Sequence, residues 1–141
     1  MTIKFLKLNK NAKIPCYAHP GDAGMDLYSI ENKILKPKDR YCFNIGLSVE
    51  IPKNYVGLIW EKSGLALKEG LAVLGGVIDA GYRGEIGVAL MNVSQKNIKI
   101  EKGQKIGQFL IQPIVCANIK EVKKLNTTAR GDGGFGSTGK K

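Results

Sequence analysis

A chain of 141 residues that is 43% hydrophobic and 24% charged is long enough to bury one core without disulfides or a structural metal, and short enough to be one domain. It holds no apolar run of about 18 residues, which excludes a transmembrane helix, and its lysine-punctuated start does not resemble a secretory signal, so a cytoplasmic address and no membrane partner are expected. The net charge of +10 favours anionic ligands, but the lysines are scattered, which suits a solvated surface with a pull on small polyanions better than stable nucleic-acid binding.

Along the chain, the first chemical feature is a negative one. Cys16, Cys42 and Cys116 are widely spaced, no Cys-x-x-Cys pair exists, and His19 is the only histidine. That excludes a zinc site and predicts reduced, buried thiols. Ala23-Gly24-Met25-Asp26-Leu27 then places a carboxylate, Asp26, at the start of a strand over residues 25 to 30. Residues 40 to 51 alternate with period two: Tyr41, Phe43, Ile45, Leu47, Val49 and Ile51 share one face, which predicts a single half-buried antiparallel strand. Pro37-Lys38-Asp39 and Pro52-Lys53-Asn54 bound it with turns.

A strand over 55 to 61 leads into Glu61-Lys62-Ser63-Gly64 and a helix of one or two turns over 63 to 69, with Ser63 as its N-cap. Lys62, Ser63 and Gly64 are either a phosphate seat, offering a cation, a hydroxyl and backbone N–H groups, or a plain cap. Residues 71 to 74 form a strand. The run from Val73 to Glu85 then holds Asp79 at a tight turn, with Tyr82 and Arg83 close behind. Asp79 is either a general base toward water or the acceptor of an Asx turn, and spacing alone does not separate the two. Strands follow over 85 to 92, 97 to 100 and 105 to 115, the last with Gln108 at its head. The many short strands with close turns point to an all-β sandwich or barrel with at most one short helix.

The final stretch, Arg130 to Lys141, contains five glycines and one aromatic, Phe135, and can build no core. It divides the chain into a β domain over 1 to 129 and a mobile tail over 130 to 141. Arg130 suits phosphate oxygens, Gly136, Ser137 and Thr138 suit an anion nest, and Phe135 suits a stacked base. The Gly-x-x-x-x-Gly-Lys-Ser/Thr order of a nucleotide-triphosphatase loop is missing.

Taken together, these segments resemble the homotrimeric dUTP diphosphatases (dUTPases), whose five ordered motifs have counterparts at residues 23 to 29, 62 to 66, 75 to 85, 102 to 108 and 130 to 139. The resemblance implies a jelly-roll fold and a homotrimer whose active sites are shared between subunits. It implies hydrolysis of dUTP to dUMP and pyrophosphate, which keeps uracil out of DNA and supplies dUMP. In that reading Asp79 activates the water that attacks the α-phosphorus. Tyr82 packs on the deoxyribose, and backbone from Gly76 through Val77 and Ile78 to Asp79, with Gly87, reads uracil. Lys62, Ser63, Gly64 and Gln108 contact phosphates, and Asp26 holds waters on a Mg²⁺ ion. Arg130, Gly136, Ser137 and Thr138 bind the terminal phosphate, and Phe135 covers the base as the tail closes on a neighbouring subunit's site. One departure is Lys62, where the family usually has Arg: the charge is kept and the bidentate fork is lost.

The related dCTP deaminases share the Asp-x-Gly-aromatic core, but their catalytic glutamate falls at Ala89 here, which excludes deamination. A non-catalytic nucleotide-binding regulatory protein on the same scaffold is the alternative, and retention of both Asp26 and Asp79 argues against it.

Overall fold

A computed structural model describes residues 1–134. Among them the chain forms β1 (Lys4–Lys7), β2 (Met25–Tyr28), β3 (Lys33–Leu35), β4 (Arg40–Asn44), β5 (Leu47–Glu50), β6 (Tyr55–Trp60), β7 (Leu71–Leu74), β8 (Val77–Ile78), β9 (Gly87–Asn92), β10 (Ile98–Ile100) and β11 (Lys105–Pro113). A single helical turn, Leu65–Glu69, lies between β6 and β7. The strands pair as β2-β11-β6-β8, β4-β9-β7, β1-β5 and β10-β3, and the pairings are antiparallel.

The inward residues of these sheets meet in one cluster. Leu27, Ile59 and Phe109 come from the four-stranded sheet; Phe43, Leu71, Val88 and Leu90 come from the three-stranded one; Leu35, Val49, Ile98 and Ile100 close the ends. Two sheets that bury facing apolar rows in this way make a β-sandwich, here of the jelly-roll kind. Packing is tight where β6 crosses β11: a Cβ at Gly57 would overlap the Phe109 ring and sit 2.9 Å from Ile51.

The period-two run over 40 to 51 is real, but it is two strands rather than one. Gly46 takes φ 71°, a left-handed conformation open mainly to glycine, and the chain turns a corner there. The inward row runs on through the corner, with Phe43, Ile45, Leu47, Val49 and Ile51 all buried, but Gly46 and Ser48 are buried too, so burial stops alternating there. The helix is one turn, and no side-chain oxygen caps it, so Ser63 is not the N-cap that propensity predicts. The thiols are free as expected, but all three are exposed in the chain, not buried. β1 and β3 carry no alternation to announce them. β1 buries none of its four residues, and Ile34, at the centre of β3, is 56% exposed.

Candidate active site

The hairpin run folds into a short strand and an anchored loop. β8 pairs with β6, then Asp79 opens a turn closed by the Tyr82 N–H donating to the Asp79 carbonyl at 3.0 Å. The loop beyond is tied down repeatedly. The Tyr82 hydroxyl donates to the Glu85 carbonyl at 2.9 Å, and Arg83 Nη1 donates to the carbonyls of Ala80 and Tyr82 at 2.7 and 2.8 Å. Ser48 Oγ donates to the Arg83 carbonyl at 2.8 Å, and the Gly46 N–H donates to Glu85 Oε1 at 2.8 Å. The glycine corner that splits the long strand is therefore also the loop's mooring. Against this rigid frame the Asp79 carboxylate is exposed and accepts no hydrogen bond from the described residues. The Asx-turn reading fails for Asp79, because its side chain does not bond its own turn.

Asp79 and Tyr82 border a pocket of about 360 Å³ whose walls include Val77, Ile78, Gly87 and Cys42. At its wall, a Cβ on Gly87 would run into Cys42 Sγ. Gly76 (φ 95°) borders a second pocket, of about 300 Å³, with Trp60, Glu61 and Val77, and a Cβ there would lie 2.6 Å from the Ile59 carbonyl oxygen. A glycine thus brings bare backbone up to each pocket.

The second group of predicted residues gathers at the far side of the same sheet. Gln108 lies opposite Asp26 on β2 and Trp60 on β6, and its Nε2 donates to the Glu61 carbonyl at 2.7 Å. Gln108 is three residues inside β11 rather than at its head, and Gly24 leaves room for it: a Cβ there would lie 2.6 Å from Gln108 Oε1. Asp26 is only 3% exposed. Lys62 Nζ lies 2.5 Å from its Oδ1, and Lys105 Nζ lies 2.5 Å from its Oδ2. Both are short ion pairs, and the one to Oδ2 lies off the ideal hydrogen-bond direction. Burial pushes the Asp26 carboxyl up, but the bonds and charges of Lys105 and Lys62 outweigh it and hold the group below 3.8. The same contact, first by hydrogen bond and then by charge, raises Lys105 above 10.5.

Lys105 is a residue that strand periodicity misses. Lys105 and Gln108 are three apart, which in a regular strand puts them on opposite faces. The register of β11 against β2 shifts between Lys105 and Gly107, so one extra residue is accommodated there. Past this bulge Lys105 lies opposite Tyr28 and Gln108 lies opposite Asp26, all four on one face. Glu85 and Ser48, which moor the hairpin loop, also carried no signal, since their role depends on contacts 35 or more residues away.

Within the chain Asp26 lies away from the Asp79 pocket, whereas Trp60 and Glu61, just ahead of Lys62, line a second pocket with Gly75, Gly76 and Val77. Asp26 and β8 are separated by three strand spacings, roughly 14 Å. Arg130 is exposed, and its Nε donates to the Gly133 carbonyl at 2.8 Å, inside its own segment. Phe135, Gly136, Ser137 and Thr138 lie outside the described residues. Among the described residues no three His, Cys, Asp or Glu side chains converge as a metal site. Asp26, with an ammonium against each oxygen, does not fit a divalent cation in this arrangement.

The family model for dUTPase matches residues 10–139. A deoxyuridine 5'-triphosphate nucleotidohydrolase of Clostridium tetani is 54% identical over 99% of this chain and 97% of its own length, and one of Clostridium novyi is 48% identical over 94% and 95%. Among solved structures, the dUTPase of Staphylococcus bacteriophage 80alpha with dUPNHPP superposes with a TM-score of 0.92 at 32% identity, covering 98% of both chains. A dUTPase of phage phi11 of S. aureus, solved as a mutant that reveals the coordination of a structural Mg(II) ion, superposes at 0.84 with 28% identity over 90% of this chain and 100% of its own. With the family match spanning nearly the whole length and relatives this similar, the chain belongs to the dUTPase family.

Proposed function

We propose that this protein hydrolyses dUTP to dUMP and pyrophosphate, with Asp79 as the base that activates the attacking water. The observation that carries the reading is the uncommitted Asp79 carboxylate, on a moored loop, at the edge of a pocket that Gly87 helps to wall. A base must be free to accept a proton, and no described residue occupies this carboxylate. Tyr82, whose hydroxyl is occupied by the Glu85 carbonyl, offers a ring face to the sugar and leaves no room for a 2′-hydroxyl. Bare backbone at Gly76 to Asp79 and at Gly87 reads the uracil edge, so a base with the wrong donors leaves buried groups unpaired.

The phosphates belong to the other group: Lys62, Ser63, Gly64 and Gln108, with the tail residues Arg130, Phe135, Gly136, Ser137 and Thr138 closing over the substrate. The separation of roughly 14 Å within one chain supports a site built between copies, as in a homotrimer. Exposed apolar side chains support the same assembly: Val115, Ile119 and Leu125 are 94%, 99% and 80% exposed. Mg²⁺ is the ion this reading calls for. It would neutralise the triphosphate, and Asp26 would meet it through water only after its lysine contacts rearrange. The protein works in the cytoplasm on this reading; among the described residues no helix is long and apolar enough to cross a membrane.

The test is pyrophosphate release from dUTP, dTTP, dCTP and UTP by the parent protein and by Asp79→Asn. The parent should turn over dUTP alone, and the variant should bind dUTP yet lose about 10²-fold or more in kcat. Equal rates in parent and variant remove Asp79 from the chemistry, and equal use of dTTP or UTP removes the pocket's assigned selectivity.

A further inference from the structure

The cluster around Asp26 holds one more cation than its carboxylate needs. Asp26 is buried, with 4% of its side chain exposed, and is fixed on β2 between β11 and the loop after β6. Its two ammonium partners are not buried: the side chains of Lys62 and Lys105 are 31% and 46% exposed. An anion reaching this surface meets the lysines and cannot be met by the carboxylate. With only one lysine, drawing the cation toward a phosphate would leave a buried carboxylate unpaired, which is among the costlier changes a protein can make. With two, one can leave while the other stays.

We propose that Lys105 is a positioning residue that keeps Asp26 neutralised so that Lys62 can be transferred to the incoming polyphosphate. Lys62 is the partner that moves, because it sits at the entry to the helical turn beside Ser63 and Gly64, both exposed and free of packing neighbours at the glycine. Lys105 is the partner that stays, because it belongs to β11, which is paired to β2 beside Asp26. Asp26 acts in the resting protein as an internal stand-in for phosphate: it holds Lys62 ordered and close to where it is needed. The arrangement also accounts for a carboxylate that does not fit a divalent cation here, since Oδ1 is released only once Lys62 has gone. The inference rests on the assignment of Lys62 to the phosphates.

The experiment is calorimetric binding of α,β-imido-dUTP, a non-hydrolysable triphosphate, to the full-length protein in EDTA, so that no metal contributes. Lys62→Met should weaken binding about tenfold or more, the worth of one charge-assisted hydrogen bond. Lys105→Met should weaken it by a similar factor, because Lys62 is then the sole counterion of Asp26 and is locked. Asp26→Asn should strengthen it, and the double variant Asp26→Asn with Lys105→Met should recover at least the parent affinity, because Lys62 is free again. A Lys105→Met protein that binds as the parent does overturns the proposal. So does a double variant as weak as Lys105→Met alone, which would make Lys105 a direct phosphate contact. If Lys62→Met binds normally, the phosphate assignment itself falls; if Lys62→Met is weak and Lys105→Met is not, only this inference does. Lys105→Met alters a half-exposed side chain, so it keeps the test decisive even if Asp26→Asn folds poorly.

Discussion

Two carboxylates in this chain have opposite environments. Asp79 is exposed and bonded to nothing among the described residues. Asp26 is buried and gripped by two lysines. Its pKa is the balance of burial, which raises it, against hydrogen bonds and charges from Lys105 and Lys62, which lower it further than burial raises it. A carboxyl held lower in the folded than in the unfolded chain stabilises the fold at any pH above its unfolded value, and that stabilisation is lost as pH falls through the folded value. The stability gap between the parent protein and Asp26→Asn should therefore hold steady above about pH 5 and shrink once pH drops below 3.8. Lys105 is shifted the other way, so its share is present throughout and fades only above 10.5. Thermal unfolding of both proteins across acid pH checks this; a gap that widens in acid contradicts the ion-pair account.

At the level of the strand and the loop, irregularities do the positioning. The left-handed Gly46 splits a long strand and lends its N–H to Glu85, which moors the hairpin. The bulge in β11 turns Lys105 onto the face of Asp26 and Gln108. Such defects need a stiff sheet around them, and the β6–β11 pair supplies it: six residue pairs from Gln108↔Trp60 to Pro113↔Tyr55 run in unbroken register. That pair tolerates no added volume at Gly57, where a methyl would overlap the fully buried Phe109 ring. Gly57→Ala should lose about 1–3 kcal/mol by overpacking. Urea unfolding should show a lower midpoint with an unchanged slope, and an unchanged midpoint would mean that the ring has room to move.

For the molecule as a whole, the question is whether one chain is enough for the proposed site. The pocket beside Asp79 is lined by no lysine, and Asp26 with its two lysine partners lies three strands from β8. Over residues 114 to 134 the chain runs outside the strands with its apolar side chains exposed, which costs stability unless another copy buries them. The remaining cation and aromatic lie further on, at Arg130 and Phe135. Deleting residues 130 to 141 should leave the sedimenting mass in the multiple of an intact assembly, because the exposed apolar stretch is kept. It should cut dUTP hydrolysis by at least about tenfold, since a phosphate cation and a stacked ring are each worth about 1–3 kcal/mol. Full activity in the truncated protein would remove the tail from the site, and a monomeric parent would remove the assembly.

How far the residues alone carry this protein follows from the range of the forces involved. Alternation is local, so the strand at Tyr55–Trp60, the buried row Ile86, Val88 and Leu90, and the all-β class are legible in the order of residues by itself. Motif order across the chain is legible too, and with it the family. Tertiary contacts decide the rest. Glycine at 46 becomes a corner because Ile86 and Glu85 wait across the fold. Exposure of Cys16, Cys42 and Cys116 overrides their apolar preference. Lys105 joins the site only through a register shift that no periodicity announces, and one carboxylate acquires two lysines because strands far apart in sequence lie side by side. Spacing along the chain reports on neighbours a few residues away; a charge pair across 36 residues is set by the packing that brings its partners together.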